Sequence, residues 1–315
     1  MGDRVTSIGR YAFNNCESLS SAVTIPDSVT SLGEGTFNGC TSLTEVAIGN
    51  GIGSIADKMC HGCTRLTSVT IADSVTSIGG HAFDNCGSLA TVAIPNSITS
   101  IGEYAFYNCS SLASVSVGFS VTNLMAHAFD SCISLIRATI PDSVTSIGEE
   151  AFDRCWSLTS VTIGKGITSI RGGRFEYCQR LSAVYFQGDA PSVPLNPGLP
   201  PAIPPTIPDV FGGAEPTVYY LPGTTGWSPT FNGRPTAVWK PQVQTSGVGF
   251  GVQTNQFGFN ITWGSDRVIV VEACANLVNP IWSPLQTNTL IGGSIYFSDP
   301  KWTDYPGRFY RLHSP

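Results

Sequence analysis

The chain has 315 residues, of which only 12% are charged, and its formal net charge is −6. No run rich in Lys and Arg is present, so the sequence does not predict electrostatic binding to nucleic acid or to anionic membranes. No apolar stretch approaches the roughly 18 residues that a membrane-spanning helix requires. The 34 glycines and 21 prolines predict many turns rather than long helices.

One sequence segment, typified by ITSIGEYAFYNCSSL, recurs eight times at a spacing of 23 residues, apart from a first interval of 24. The copies begin at Val5, Val29, Ile52, Val75, Ile98, Val121, Val144 and Ile167. Each copy is followed by an alternating run such as SVTI, which predicts a short strand with one buried face. A solenoid is expected, because neither element of a repeat can bury its apolar face without stacked neighbours.

The segment before each strand has the apolar spacing of a short helix. In the fifth copy, Ile101, Ala105, Phe106 and Cys109 fall on one face of about two helical turns. Gly102 opens this segment, where freedom in φ is useful. The sequence therefore predicts an α/β solenoid, with a parallel concave sheet and short helices, over residues 1–189.

The cysteines occupy one repeated position. They are Cys16, Cys40, Cys63, Cys86, Cys109, Cys132, Cys155 and Cys178. Equivalent residues of stacked strands lie about 4.8 Å apart with parallel side chains, whereas a disulfide needs converging Cβ atoms about 3.8 Å apart. The pattern therefore predicts a column of buried, reduced thiols.

A Cys-His-Gly-Cys stretch at residues 60–63 departs from this row. Cys63 belongs to the row, and Cys60 stands where the other seven copies have Phe, which favours a structural role. A thiol or metal function and a local disulfide remain alternatives. His81 and His127 share a variable position in which no carboxylate row is expected nearby, so they are interpreted as solvent-facing residues and no metal site is predicted.

The repeat consensus, with Val-x-Ile-Pro before Ile-Gly-x-x-Ala-Phe-x-x-Cys, resembles the BspA-like, treponemal class of leucine-rich repeats. Departures include Met59 and Arg174 at the Ala position and Met125 at the Gly position. The resemblance implies a bacterial surface or secreted protein that binds other proteins, including adhesins for host or matrix proteins. The N-terminus carries no export signal and begins within a repeat, so the sequence is interpreted as a possible N-terminally truncated fragment.

The outward strand positions, on the presumed concave face, are small and nearly uncharged. The exceptions considered as ligand contacts are Glu45, Arg137 and Tyr185. Arginine and tyrosine are enriched among the residues that dominate binding energy at protein interfaces. These residues therefore mark the predicted binding face.

Residues 190–238 are predicted to hold a proline-rich insertion and a degenerate terminal repeat that caps the array. TVYYLP fits as a ninth strand if Leu221 is aligned with Phe186, and this places Tyr220 beside Tyr185. Such a pair could stack on a sugar or anchor a peptide, or could simply cover the end of the sheet.

From about residue 239 the sequence alternates like strands, separated by Gly, Pro, Asn and Asp turns, and predicts a small antiparallel β-sandwich. The segment resembles a C-terminal module of secreted repeat proteins from environmental bacteria. Three of its tryptophans are interpreted as core or as a sugar platform: Trp263, Trp282 and Trp302.

Three functions follow from these patterns. The first is a non-enzymatic scaffold for protein binding or adhesion, and the second is a carbohydrate-binding protein that uses the C-terminal domain or the Tyr185/Tyr220 pair. The third is a spacer without a ligand. No catalytic constellation and no cofactor site are predicted.

Overall fold

The computed structural model describes residues 2, 4–195, 207–246, 250–253, 256–264, 267–278, 280–305 and 307–314. Much of the proline-rich insertion, residues 196–206, lies outside these ranges. The chain divides into two compact units, Met1–Ala237 and Val238–Pro315. Within the described residues, no helix is long and apolar enough to cross a membrane.

The first unit is a parallel β-solenoid in which each repeat contributes a strand to a first row, called here the first sheet, and each of the first seven repeats also contributes a strand to a second row, called the second sheet. Strand pairing is interrupted after Ser68–Thr70 in the first row and after Ser31–Leu32 in the second. The eighth repeat adds only an isolated bridge between Ser169 and Ser192 to the second row. The strands of the first sheet are Val23–Ile25, Glu45–Ile48, Ser68–Thr70, Thr91–Ala93, Ser114–Ser116, Arg137–Ile140, Ser160–Ile163, Ala183–Phe186 and Thr217–Tyr220. The strands of the second sheet are Ser7–Ile8, Ser31–Leu32, Ser54–Ile55, Ser77–Ile78, Ser100–Ile101, Asn123–Leu124 and Ser146–Ile147. The antiparallel strands Thr230–Phe231 and Arg234–Val238 follow at the end of the first sheet.

The predicted short helices are absent from the described repeats, and this part of the prediction is wrong. Two positions in each repeat, four residues apart, have positive φ, for example Tyr104 (56°) and Asn108 (51°). Left-handed residues at these positions interrupt an α-helix. The intervening segment forms successive turns. Its backbone N–H groups donate hydrogen bonds alternately to carbonyl groups of the same repeat and of the next repeat. The Phe106 N–H, for example, donates to the carbonyl of Ala128 in the next repeat at 2.9 Å.

Gly102 is required for a different reason from the one predicted. Its φ is not in the left-handed region, but a Cβ atom at this position would lie 2.6 Å from the backbone nitrogen of Gly80 in the preceding repeat. Glycine therefore permits close approach of successive turns.

The core contains a row of stacked phenylalanines. From Phe83 to Phe175, neighbouring ring centroids lie 5.3–5.6 Å apart. Phe211 continues the row beyond the insertion, 6.5 Å from Phe175. The row is interrupted at the third repeat, where the fully buried Met59 and Cys60 replace the usual Ala and Phe. A larger side chain at one position thus accompanies a smaller one at the next.

The repeated cysteines lie beside the phenylalanine row, and the structure contains all ten cysteines as free thiols. Seven of the eight in the row are buried, and each donates a hydrogen bond to a backbone carbonyl in the preceding repeat, as Cys109 does to Phe83 at 3.2 Å. Burial raises the pKa of Cys109 well above its usual value, with further increases from neighbouring thiols. Cys16 differs from the prediction because it is exposed, since it lies in the first repeat of the array.

The second unit contains two antiparallel sheets. One comprises Gln242–Val243, Gly251–Gln253, Gln256–Thr262 and Ser294–Asp299; the other comprises Val268–Cys274, Ser283–Thr289 and Phe309–His313. Short 3₁₀ turns occur at Ile291–Gly293 and Trp302–Asp304. Tyr310 packs against Phe259 and Phe297 of the other sheet at 5.8 and 5.9 Å, which gives the sandwich its common core.

Within this core, Tyr310 donates a hydrogen bond to the buried Asp299 at 3.0 Å, and Arg308 forms an ion pair with the same carboxylate. Burial, reinforced by this hydrogen bond, raises the pKa of Tyr310 to about 12.

Of the tryptophans considered above, Trp263 is buried in the core. Trp282 instead lies beside the Arg311 guanidinium, which is 4.6 Å from its ring centre.

Candidate functional site

The predicted contacts on the first sheet are widely separated, and they differ in burial: Glu45 and Arg137 are exposed, whereas Tyr185 is half-buried. Glu45 and Arg137 occupy the same position of the repeat, at the start of their strands. Glu45 is paired with Ser68 on the next strand, and Arg137 is paired with Ser114 on the preceding one. Four strand steps separate them, or about 19 Å at the usual strand spacing. Tyr185 is two strands beyond Arg137, and this guanidinium opposes the rise that burial causes in the pKa of Tyr185. The structure thus places Arg137 nearer to the tyrosines and leaves Glu45 apart.

The expected pairing of Tyr185 with Tyr220 is wrong by one residue. Thr217–Tyr220 does form the ninth strand, but Val218 is paired with Val184, so Tyr219 lies beside Tyr185. The physical reason is that Val218 fills the buried strand position, while Leu221 is buried just beyond the end of the strand.

The tyrosine pair is stacked ring on ring. The centroids of Tyr185 and Tyr219 are 4.9 Å apart with an interplanar angle of 16°. Tyr220 instead stacks on Trp227, at 5.1 Å and 7°. Because each tyrosine already covers one face of its partner, the pair presents less open ring surface for a sugar than side-by-side rings would.

A second surface, which the sequence interpretation missed, lies in the turns that precede the strands of repeats six to eight. We call it the corner patch and define it by Ile133, Ile136, Arg154, Trp156 and Tyr177. Trp156 is 51% exposed and Tyr177 is 54% exposed. Arg154 lies over the Tyr177 ring, 5.8 Å from its centre, and the three side chains line one surface groove with Gln179.

The corner patch could have been recognised from the repeat alignment. Trp156 occupies the position after the repeated cysteine, where the other copies have Glu17, Thr41, Thr64, Gly87, Ser110, Ile133 and Gln179. A tryptophan at a position that otherwise varies among mostly small or polar residues is not needed by the repeat core. The prediction considered the strand positions alone and therefore overlooked it.

The surface around the histidines also differs from expectation. Carboxylates do lie next to them, at a repeat position that holds Asp84 and Asp130, and both of these side chains are almost fully buried. The Nδ1 atom of His81 is 2.8 Å from the Asp84 carboxylate, and that of His127 is 3.1 Å from Asp130. These histidines are therefore paired with acids rather than simply solvated.

Comparisons with known proteins agree with the fold. The family model for the BspA type leucine-rich repeat region matches residues 1–110 and 76–194 in six copies. No curated protein sequence matches the chain. The family match ends before the second unit, so the resemblance proposed for residues 239–315 stays a prediction.

Solved bacterial structures are also similar. A leucine-rich repeat protein from Bacteroides ovatus is 24% identical, with a TM-score of 0.51, over 69% of this chain and 59% of that protein. The leucine-rich repeat protein of T. pallidum is 28% identical, with a TM-score of 0.40, over 57% of this chain and 77% of that protein. A leucine-rich cell surface protein from Faecalibacterium prausnitzii is 23% identical, with a TM-score of 0.28, over 69% of this chain and 83% of that protein.

These relatives are leucine-rich repeat proteins, and the present chain spans about 59% of the length of the Bacteroides protein. The family match covers more than half of the residues and lies within the first unit, ending before the ninth strand. The chain therefore belongs to the BspA-type leucine-rich repeat family.

Proposed function

We propose that this protein is a non-enzymatic surface or secreted scaffold that binds another protein through the corner patch. The observation that carries the proposal is the juxtaposition of the half-exposed Trp156 and Tyr177 with Arg154. Trp, Tyr and Arg are the residue types most enriched among interface hot spots. An exposed apolar patch with a polar rim is typical of a protein-binding surface.

The surroundings of the patch suit such an interface. Ile136 is 48% exposed and extends the apolar surface, while Gln179 and Arg180 line the adjoining groove. Trp156 and Tyr177 belong to neighbouring repeats, and the Arg154 guanidinium, which lies over the Tyr177 ring, restricts the tyrosine side chain. Side chains that are already ordered lose less conformational entropy when a partner binds.

The experiment is a binding screen of the whole chain against arrays of extracellular-matrix proteins and glycans. The test variant is Trp156→Ala/Tyr177→Ala, and the matched control is Phe119→Ala, which removes another aromatic residue that is 68% exposed. We expect the test variant to lose protein binding by at least about tenfold, since hot-spot truncations cost about 2 kcal/mol or more. Equal binding by both variants would refute the patch as the site.

A second candidate function is carbohydrate binding, which an aromatic-lined groove in the second unit supports. Phe257, Phe309 and Tyr310 line it together with Arg308 and Lys240. The same array detects this function. Glycan signals that are lost in Phe309→Ala but retained in Trp156→Ala/Tyr177→Ala would favour it over protein binding, whereas Tyr185→Ala/Tyr219→Ala tests the tyrosine pair.

A further inference from the structure

Three potential metal ligands meet on the turn segments of repeats six and seven. They are His127, Asp130 and Glu150, and one ligand atom from each lies within 4.8 Å of the other two. The Nδ1 atom of His127 is 3.1 Å from an oxygen of Asp130 and 3.5 Å from an oxygen of Glu150. The structure therefore brings a nitrogen and two carboxylate oxygens together from adjacent repeats.

The neighbouring residues leave this cluster with excess negative charge. Asp153 lies next to it and is buried, and its Oδ1 atom has no hydrogen-bond partner within the described part of the chain. Its other oxygen is 3.1 Å from Arg154, which is also 3.5 Å from Asp130. Three carboxylates facing one guanidinium carry a net charge of about −2 when all are ionised, which a divalent cation would neutralise.

The distances from the His127 Nδ1 atom to the Asp130 and Glu150 oxygens, 3.1 and 3.5 Å, suit a small tetrahedral ion. Zinc bonds to nitrogen and carboxylate oxygen are about 2.0–2.2 Å, which places tetrahedral ligands about 3.3–3.6 Å apart. The His127 ring is also held in plane by stacking on Tyr104, with centroids 4.4 Å apart. We propose that His127, Asp130 and Glu150 bind one Zn²⁺ ion, with water as the fourth ligand.

The repeat array contains its own control for this site. His81 and Asp84 occupy the same two repeat positions as His127 and Asp130, with Nδ1 and carboxylate 2.8 Å apart. The third position, held by Glu150 in the site, is Tyr104 at the control, and its ring stacks on His81 at 4.8 Å. The His81 cluster therefore lacks the second carboxylate. His61 of the preceding repeat has its Nε2 atom 3.5 Å from Asp84, but among the described residues only the His127 cluster brings three ligand atoms within 4.8 Å of one another.

The experiment is isothermal titration of the metal-free full chain with Zn²⁺. We expect one ion per chain and a Kd in the micromolar range. The variants His127→Ala and Glu150→Gln should each weaken binding by at least about tenfold, because each removes a ligand, while His81→Ala should bind as the original chain does. Circular dichroism establishes that each variant is folded.

Substitution with Co²⁺ gives a readout that reports coordination directly. A tetrahedral site that includes the His127 nitrogen should give strong visible absorption, and Glu150→Gln should abolish it. The proposal is overturned by absence of Zn²⁺ binding, or by equal affinity in His127→Ala. It is also overturned by loss of binding in His81→Ala, or by Ca²⁺ binding that is tighter than Zn²⁺ binding.

Discussion

The exchange of side-chain size at Met59 and Cys60 leads to a quantitative prediction. Both side chains are fully buried, and they replace the Ala and Phe found at these positions in most copies. Met59→Ala alone should leave a cavity and cost about 2–5 kcal/mol. Cys60→Phe alone adds a ring beside the retained methionine and should cost about 1–3 kcal/mol through overpacking.

The double variant Met59→Ala/Cys60→Phe restores the usual pair and should differ from the original chain by less than about 1.5 kcal/mol. The new ring would then stand between Phe37 and Phe83, where it can stack on both. The two substitutions should therefore be coupled favourably by at least about 1.5 kcal/mol, which is within the range seen for contacting residues.

The assay is urea unfolding of all four proteins, followed by circular dichroism and compared through midpoints and slopes. Recovery of the midpoint in the double variant is the predicted result. Additive destabilisation, with the double variant weaker than either single variant, would show that Met59 does not occupy the space of the absent ring.

Three other perturbations test separate parts of the structure. Burial raises the folded-state pKa of Asp153 to about 6, so its contribution makes stability fall as pH rises from about 4 to 6; Asp153→Asn should flatten this decline in urea midpoints measured across that range. A thiol reagent should modify the exposed Cys16 rapidly in the native protein and reach the other nine cysteines only on unfolding in the absence of reductant, with fewer than ten reactive thiols contradicting the free-thiol structure. Gly102→Ala should destabilise the chain by about 1–3 kcal/mol because its Cβ would meet the backbone of Gly80, whereas Gly53→Ala, with no atom within 4 Å of the new Cβ, should not.

The sequence predicted the repeat period, the strands of the first sheet and the cysteine row because each follows from strict recurrence of buried residues. It did not predict the loss of the helices, since apolar spacing alone cannot distinguish two helical turns from successive tight turns. The residues that decide the matter are those with positive φ, such as Asn85 and Asn108. Asparagine tolerates positive φ, so its recurrence before the repeated cysteine could have indicated a tight turn instead of a helix.

The candidate sites were predicted less well because they depend on register and on contacts between repeats. The position of Tyr219 beside Tyr185 depends on which apolar residue enters the core, and the sequence allowed either Val218 or Leu221. The Asp130–His127 contact joins two positions that each vary along the array, so no single repeat indicates it. Trp156 was detectable from the repeat alignment, whereas its neighbour Tyr177 was not.

Mapping the contact surface of a bound protein tests the account most directly. Hydrogen–deuterium exchange would be measured on the full chain with and without the protein ligand identified on the array. The account predicts slower exchange in segments 133–136, 154–157 and 177–180, which carry the corner patch. Protection confined to the strands of the first sheet or to the second unit would contradict it.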